Sequence, residues 1–272
     1  MFEFLKPKPA ALTVASALKA AHVPFLNLGC GARFHKDWVN LDIAPTEPER
    51  VISHNLLEPL PFADGTFSAV YHSHVLEHLP KAAADSLIAE CRRTLHPGGT
   101  LRVVVPDLET IAKLYLDYLS GAWAGDKAAI ERHEWMTLEV LDQLTREQSG
   151  GEMLKHWKQQ PMPAESFVLE RMGGEVRGVL EMLRKPVSRA PRPAPQTPEE
   201  VGRFRAGGEV HKWMYDRVSL KALLLRHRFS NIAVCSATES SIPGWASFQL
   251  DCDPEGNPRK PDSLFVEATA IA

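Results

Sequence analysis

Short apolar runs punctuate the first 107 residues. Phe25–Leu28, Trp38–Asp42, Val51–His54, Phe67–Tyr71 and Thr100–Val105 are each bounded by glycine, proline or charged residues. Their nearly continuous apolar character predicts strands buried on both faces. Between the fourth and fifth, Pro80 to Leu95 has helical composition and stops at His96-Pro97-Gly98-Gly99. Ala10 to Ala21 predicts an N-terminal helix. Strands alternating with helices imply an α/β fold: a Rossmann-like, doubly wound, mostly parallel sheet with right-handed crossovers.

From Leu108 to about Lys185 the period changes. Ile111, Leu114, Tyr115 and Tyr118 share one helical face, and Met136, Val140, Leu141 and Leu144 share another. Pro186 to Pro198 carries five prolines and no apolar period, which reads as an extended or mobile linker. Ser219–Arg228 is then helical, and Ile232–Ser236 and Ser263–Ala268 complete a seven-stranded sheet as an antiparallel C-terminal edge. Ala237–Asp262 is a long connection between them. The organisation expected is a Rossmann-like domain of residues 1–107 and 208–272, a helical insertion at 108–185 and a Pro-rich linker at 186–207.

One spacing is unusual. Only about six residues, Ala32 to Asp37, separate the first glycine turn from the second strand, whereas a parallel crossover needs about a dozen or more. The first crossover helix is therefore shortened or absent. The N-terminal helix is expected to cover the sheet face it vacates.

Composition narrows the class. With 44% apolar and 24% charged residues and a net charge of −3, the chain lacks the electrostatic footprint of a nucleic-acid binder. No apolar run reaches the roughly 20 residues that span a bilayer, and Met1 to Pro9 lacks an apolar signal core. Cys30, Cys91, Cys235 and Cys252 form no Cys-x-x-Cys pair. A cytoplasmic, reduced protein is expected.

Phe25-Leu26-Asn27-Leu28-Gly29-Cys30-Gly31, followed by Trp38-Val39-Asn40-Leu41-Asp42, is the chemically informative stretch. Glycine lets a backbone approach a ligand closely, and a carboxylate at the tip of the adjacent strand suits ribose hydroxyls. A nucleoside cofactor follows. A dinucleotide site would want a third glycine at position 34, which is Phe34, and an acid about 20 residues on, where Asp42 comes early. An NAD-dependent oxidoreductase is the less favoured alternative.

Four segments in this order resemble the class I S-adenosylmethionine-dependent methyltransferases, in particular the bacterial type 11 methyltransferase-domain proteins. They are Leu26–Gly31, Pro59–Phe67 with Val70–Leu79, Leu95–Gly99 leading to Pro106-Asp107, and His211–Asp216 with Lys260–Leu264. The resemblance covers about 23–107 and 208–270. It implies that Gly29 and Gly31, with Cys30 between them, admit the methionine moiety of S-adenosyl-L-methionine. It further implies that Asp42 binds the ribose, that Asn55 and Leu56 border the adenine, and that Tyr71 to His74, with His72 and Ser73 among them, line the sulfonium side. The chain departs from the family where Asn27 and Asn55 stand at positions usually acidic, which leaves room for a non-catalytic cofactor-binding module or scaffold as the alternative function.

Two clusters are candidates for proton transfer. His72, His74 and His78 with Glu77 have a spacing compatible with metal ligation, but a strand end running into a helix start more simply provides cofactor-lining and capping groups, and no metal is assigned. His211, Trp213 and Tyr215 follow the linker, with His211 as base and the aromatics stacking on an acceptor; the alternative is that the segment anchors the insertion and Asp216 caps the next helix. Asp107 and Glu109 orient an acceptor or cap a helix. The catalytic candidates are thus His211, His74 and Tyr215. The expected activity is methyl transfer to a small-molecule, sugar or glycan-intermediate acceptor, with the insertion serving as a lid or as the contact of a homo-oligomer.

Overall fold

The computed structural model describes residues 12–20, 25–185 and 196–272. Seven strands, β1 (Phe25–Leu28), β2 (Val39–Asp42), β3 (Ile52–Ser53), β4 (Phe67–Ser73), β5 (Leu95–Pro106), β6 (Phe229–Cys235) and β7 (Ser263–Ala270), form one sheet in the order β3-β2-β1-β4-β5-β7-β6. All neighbours are parallel up to β5; β7 is antiparallel to both β5 and β6, so the antiparallel strand stands one place in from the edge strand β6. β5 starts earlier than its apolar run suggests. Leu95 pairs with Phe67, and the His-Pro-Gly-Gly turn bulges out of register before Thr100 pairs with Ala69.

The helices are α1 (Val14–Ala20), α2 (Lys81–Thr94), α3 (Leu108–Trp123), α4 (Lys127–Thr145), α5 (Gly151–Trp157), α6 (Glu165–Leu183), α7 (Pro198–Ala206), α8 (Arg217–Arg226) and the short α9 (Trp245–Phe248). α7 occupies the end of the expected linker. Its Thr197 and Glu200 form a reciprocal capping box. Residues 10, 11 and 21 of the N-terminal helix and 186–195 of the linker lie outside the described residues.

No helix joins β1 to β2. Residues 29–38 run as turns, and their carbonyls find donors in two buried amides instead. Asn27 Nδ2 donates to Arg33 O at 3.0 Å and to Asn40 Oδ1 at 3.1 Å, while Asn40 Nδ2 donates to His35 O at 2.9 Å and Trp38 O at 2.7 Å. This is the physical reason for an amide at position 27: the site requires a donor, which a carboxylate lacks.

The cover of the vacated face differs from expectation. β1 to β2 and β4 to β5 step in opposite directions along the sheet, so right-handed crossovers place their helices on opposite faces. α2 packs Ala84, Leu87, Ile88 and Cys91 against the face of Leu26, Leu28 and Val70, and α1 adds Ala17 to that same core. The other face carries Phe25, Trp38, Ala69 and Tyr71, and the Ala237–Asp262 connection covers it with Ile242, Trp245, Leu250 and Cys252. Trp38 meets Tyr71, Trp245 and Phe248 edge-on, the geometry that ring quadrupoles favour.

The insertion, α3 to α6, has its own core around Trp135, Met136, Met153, Val168 and Val176, into which Met214 plugs from the returning chain. Glu139 and Arg171 pair within it at 2.6 Å, fully enough buried that each needs the other. The return segment ties three parts together. His211 N donates to Gln143 O on α4, Lys212 N and Trp213 N donate to Glu77 O beyond β4, and Tyr215 O accepts from Leu108 N at the start of α3.

Asn27→Asp is expected to destabilise the chain by about 1–3 kcal/mol, the cost of leaving buried polar groups unpaired, which at about 2–4 °C per kcal/mol for a chain of this size is visible as a lowered melting temperature. An unchanged melting temperature would show that the amide pair does not hold the loop.

Candidate active site

The first cavity opens beyond the carboxyl ends of β1 and β4, where open α/β sheets bind ligands. It measures about 370 Å³ and is bordered by the glycine loop, Tyr71, Ser73, His74, Asp251 and Lys260. Gly29 (φ 62°) has no room for a side chain, since a Cβ there would come within 2.4 Å of Val75 Cγ2. Gly31 (φ 52°) has nothing within 4 Å of the same position, so its backbone faces open space. Asp42 turns its carboxylate back to this loop. Oδ2 accepts from Gly31 N at 2.8 Å and Oδ1 from Ala44 N at 2.9 Å, so the acid at the tip of β2 is fixed beside the glycine turn.

Charge enters the cavity from a residue with no motif to announce it. Asp251 accepts from Tyr71 Oη at 2.5 Å and from Arg102 Nε at 2.8 Å. Arg102, wholly buried on β5, also pairs with Glu267 at 2.8 Å and lies over the Trp245 ring. Burial, the largest influence, pushes the Asp251 carboxyl up, and Arg102 opposes it. Burial likewise pushes the Cys30 thiol up to about 12, with Asp42 adding to it, which disfavours the thiolate form.

A second cavity of about 200 Å³ lies between the strand ends and the insertion. His74, His78, His211, Lys260 and Asp262 face Gln143 and Arg146 of α4, Met153 and Trp157 of α5 and Met172 of α6. His74 and Lys260 line both cavities. His74 follows the end of β4 with φ 52°, a conformation rare for residues other than glycine and associated with functional sites. Its Nε2 is 2.9 Å from Ser263 Oγ, and its Nδ1 is 3.0 Å from Glu77 Oε1.

Glu77 is fully buried. Burial would raise its carboxyl, but His74 first and then His78 and His211 outweigh that and hold it down to about 2. His211, in turn, is pushed down to about 3, chiefly by burial, so its imidazole is neutral at physiological pH. The His78 and His211 rings meet edge to face at 4.7 Å. Arg146 approaches the cavity already paired with Asp142 at 2.5 Å and Glu209 at 3.1 Å.

The structure brings Asn27, Gly29, Cys30, Gly31, Ser73 and His74 to one cavity and His74 with His211 to the other. Asp42, Asn55 and Leu56 lie on the β2–β3 side of the glycine loop, with Leu56 beside Gly29 and Asn55 Oδ1 accepting from Leu57 N. Two of the expected residues lie away from both cavities. His72 borders neither cavity: side chains alternate along a strand, so with Tyr71 and Ser73 facing the cavity His72 points into the opposite core, fully buried, its pKa lowered to about 4 by desolvation. Tyr215 also borders neither. Its backbone bridges to Asp107, its ring joins the core under the sheet, and burial pushes its hydroxyl up to about 12. Trp213 stacks under Lys81 Nζ at 4.1 Å, away from both cavities. Asp107 and Asp216 cap α3 and α8, and Glu109 pairs with Lys113 and Arg217.

Residues 26–103 match the family model described as a methyltransferase domain. No curated protein matches the sequence. Among solved structures, a methyltransferase from Thermotoga maritima is 12% identical over 94% of this chain and 88% of its own, at TM-score 0.43. One from Archaeoglobus fulgidus is 10% identical over 94% and 89%, at 0.40. A chain from the Haloferax volcanii complex of the Trm112 methyltransferase activator with a methyltransferase is 12% identical over 96% and 89%, at 0.41. Likenesses of this order carry nothing about acceptor, partner or mechanism. The matched segment spans the strands and the glycine loop that build the first cavity, so it is this part of the chain that is similar to a methyltransferase domain.

Proposed function

We propose that the chain methylates a small polar acceptor, of the size of one sugar ring, held in the second cavity between the strand ends and the helical insertion. The observation that carries this reading is the shared wall: His74 and Lys260 border both cavities, so a group bound in one can face a group bound in the other. S-adenosylmethionine, when bound, supplies a methyl group already activated on a positively charged sulfur. Gly29, Gly31 and Ser73 would hold its methionine side, Asp251 would face the ammonium in place of the missing acid at Asn27, and Asp42 would take the ribose. Asn55 and Leu56 remain the residues beside the adenine.

The work left to the protein is alignment, exclusion of water and removal of the acceptor's proton. His74 Nε2 is placed to take that proton, and the Glu77 carboxylate at Nδ1 orients the ring. Gln143, Arg146 and Asp262 offer hydrogen bonds to hydroxyls, while Trp157 and Met172 give an apolar wall to a ring face. His211, neutral and deeply set, serves the floor of the acceptor cavity, and its role as the base passes to His74. The insertion acts as the lid.

The surface of the insertion also supports a homo-oligomer. Leu116, Leu119 and Trp123 recur at helical spacing on α3 and stay exposed, Trp123 by 93%, as a residue awaiting a partner would. A dimer in sedimentation that Trp123→Glu dissolves is the expected outcome.

Calorimetry with S-adenosylhomocysteine checks the cofactor side. Asp42→Ala is expected to weaken binding about 10–100-fold, the worth of a charge-assisted hydrogen bond. His74→Ala is expected to keep that binding and to lower S-adenosylhomocysteine release with a panel of hydroxylated sugar acceptors by about 10²–10⁴. Loss of S-adenosylhomocysteine binding in the His74 variant would make it a cofactor-lining residue only.

The lid has its own test. α6 breaks at Gly173 (φ 65°, ψ −145°) because it lies on the loop that carries Lys260; a Cβ there would come within 2.6 Å of Pro261 Cδ and 2.8 Å of Arg259 O. Gly173→Ala is expected to cost about 1–3 kcal/mol in strain and to reduce acceptor turnover more than S-adenosylhomocysteine affinity. Equal loss of both would mean that the insertion supports the cofactor cavity as well.

A further inference from the structure

Several buried polar atoms at the floor of the acceptor cavity lack a hydrogen-bond partner. Glu77 is wholly buried, and its carboxylate oxygens have His74 Nδ1, an ion-pair contact at 3.0 Å, as their near neighbour and otherwise lack hydrogen-bond partners. His78 Nδ1 and His211 Nδ1 are buried and equally unpartnered. One ligand atom from each of Glu77, His78 and His211 lies within 4.8 Å of the other two. Buried polar atoms are ordinarily satisfied, and each exception asks for a cause.

We infer that Glu77, His78 and His211 form a binding site for one divalent transition-metal ion, set in the floor of the acceptor cavity. Two imidazoles and one carboxylate suit zinc, iron or cobalt rather than magnesium or calcium, which prefer all-oxygen sets. Donors about 2.1 Å from a common ion stand roughly 3.4 Å apart, so closing the present triangle takes about an ångström of side-chain movement. The cluster is held ready for it. Glu77 and the return segment are locked by the Lys212 and Trp213 amides on Glu77 O, and His211 N is fixed to Gln143 O. The Gly208 backbone lies beside His78, where an outer contact can orient a metal-binding imidazole. Repulsion from Arg146 is already offset by Asp142 and Glu209, and Asp262, with an unpartnered oxygen, borders the same cavity.

The site leaves coordination positions open toward the cavity that His78 and His211 line. There the ion would act as a Lewis acid on an acceptor oxygen. That role, though not the site, rests on the methyltransferase reading. The acceptor's O–H proton passes to His74, the oxygen–methyl bond forms, and the sulfur–methyl bond breaks to leave neutral S-adenosylhomocysteine.

The test uses the full chain stripped by a chelator and titrated with Zn²⁺ by calorimetry and with Co²⁺ by its visible d–d bands. One equivalent should bind at micromolar or tighter affinity, with tetrahedral or five-coordinate Co²⁺ bands. His78→Gln, His211→Gln and Glu77→Gln should each weaken binding by at least about tenfold, and Zn²⁺ should raise the melting temperature of the wild type but not of the variants. S-adenosylhomocysteine titration of each variant shows that it is folded. Should Glu77→Gln fail to fold, the two histidine variants decide. No binding by the wild type at millimolar Zn²⁺ and Co²⁺, or unchanged affinity in both histidine variants, overturns the site. A chain that binds Zn²⁺ but not S-adenosylhomocysteine sinks the cofactor reading and leaves this one standing.

Discussion

The link from β1 to β2 is too short to hold a helix, and much of the molecule is arranged around that fact. A helix would have satisfied its own carbonyls and covered one face of the sheet. Without it, those carbonyls turn to Asn27 and Asn40, whose amides reach Arg33, His35 and Trp38. The uncovered face is closed by aromatic rings, Phe25, Trp38 and Tyr71 from the strands and Trp245 and Phe248 from the connection between β6 and β7. Using that connection as a cover brings Asp251 over the strand ends, where Tyr71 and Arg102 hold it. The amide at position 27 and the placement of Asp251 are thus two results of one constraint.

Glu77 plays the corresponding part on the acceptor side. A carboxylate with no exposure can stay ionised only among cations or dipoles aimed at it. His74 lies at 3.0 Å, and His78 and His211 reach it from its own turn and from the return segment. Its backbone carbonyl takes two amides of that same segment. One residue therefore joins the sheet, the insertion and the chain that closes over both. Two of the histidines it gathers flank it in the sequence and the third comes from the return segment, and burial lowers the pKa of both His78 and His211.

The sheet was legible in the sequence because buried parallel strands read as short apolar runs, and the missing helix was legible because Ala32 to Asp37 cannot form one. What covered the gap was not legible. The choice between the N-terminal helix and the 237–262 connection turns on tertiary packing of Trp245 and Ile242, which have no periodicity to reveal them. His74 and His211 carried motif signals and do meet at a cavity. His72 and Tyr215 carried the same signals and do not, since strand alternation turns one inward and a bridge to Asp107 draws the other into the core. Asp251, Lys260 and Ser263 come to the site through the antiparallel return of β7. Of these, only the Lys260–Leu264 segment stood out in the sequence, and nothing marked Asp251.

The two walls of the composite site differ in kind. On the cofactor side Arg102 is locked between Asp251 and Glu267, with Ser240 and Ser241 closing on Glu267, and edge-on aromatic rings pack behind them. Ionic and ring contacts of this sort have sharp geometry, so that wall is a fixed template. On the acceptor side Met153 and Met172 face the cavity from α5 and α6, and behind them Met136, Met162 and Met214 fill the core of the insertion. Methionine adapts its shape at low cost. On the function proposed above, a fixed pocket would suit an unchanging cofactor, and an adaptable one an acceptor whose outline can vary while its methylated atom still comes to His74. Selectivity among acceptors would then reside in the insertion, and catalytic alignment in the sheet.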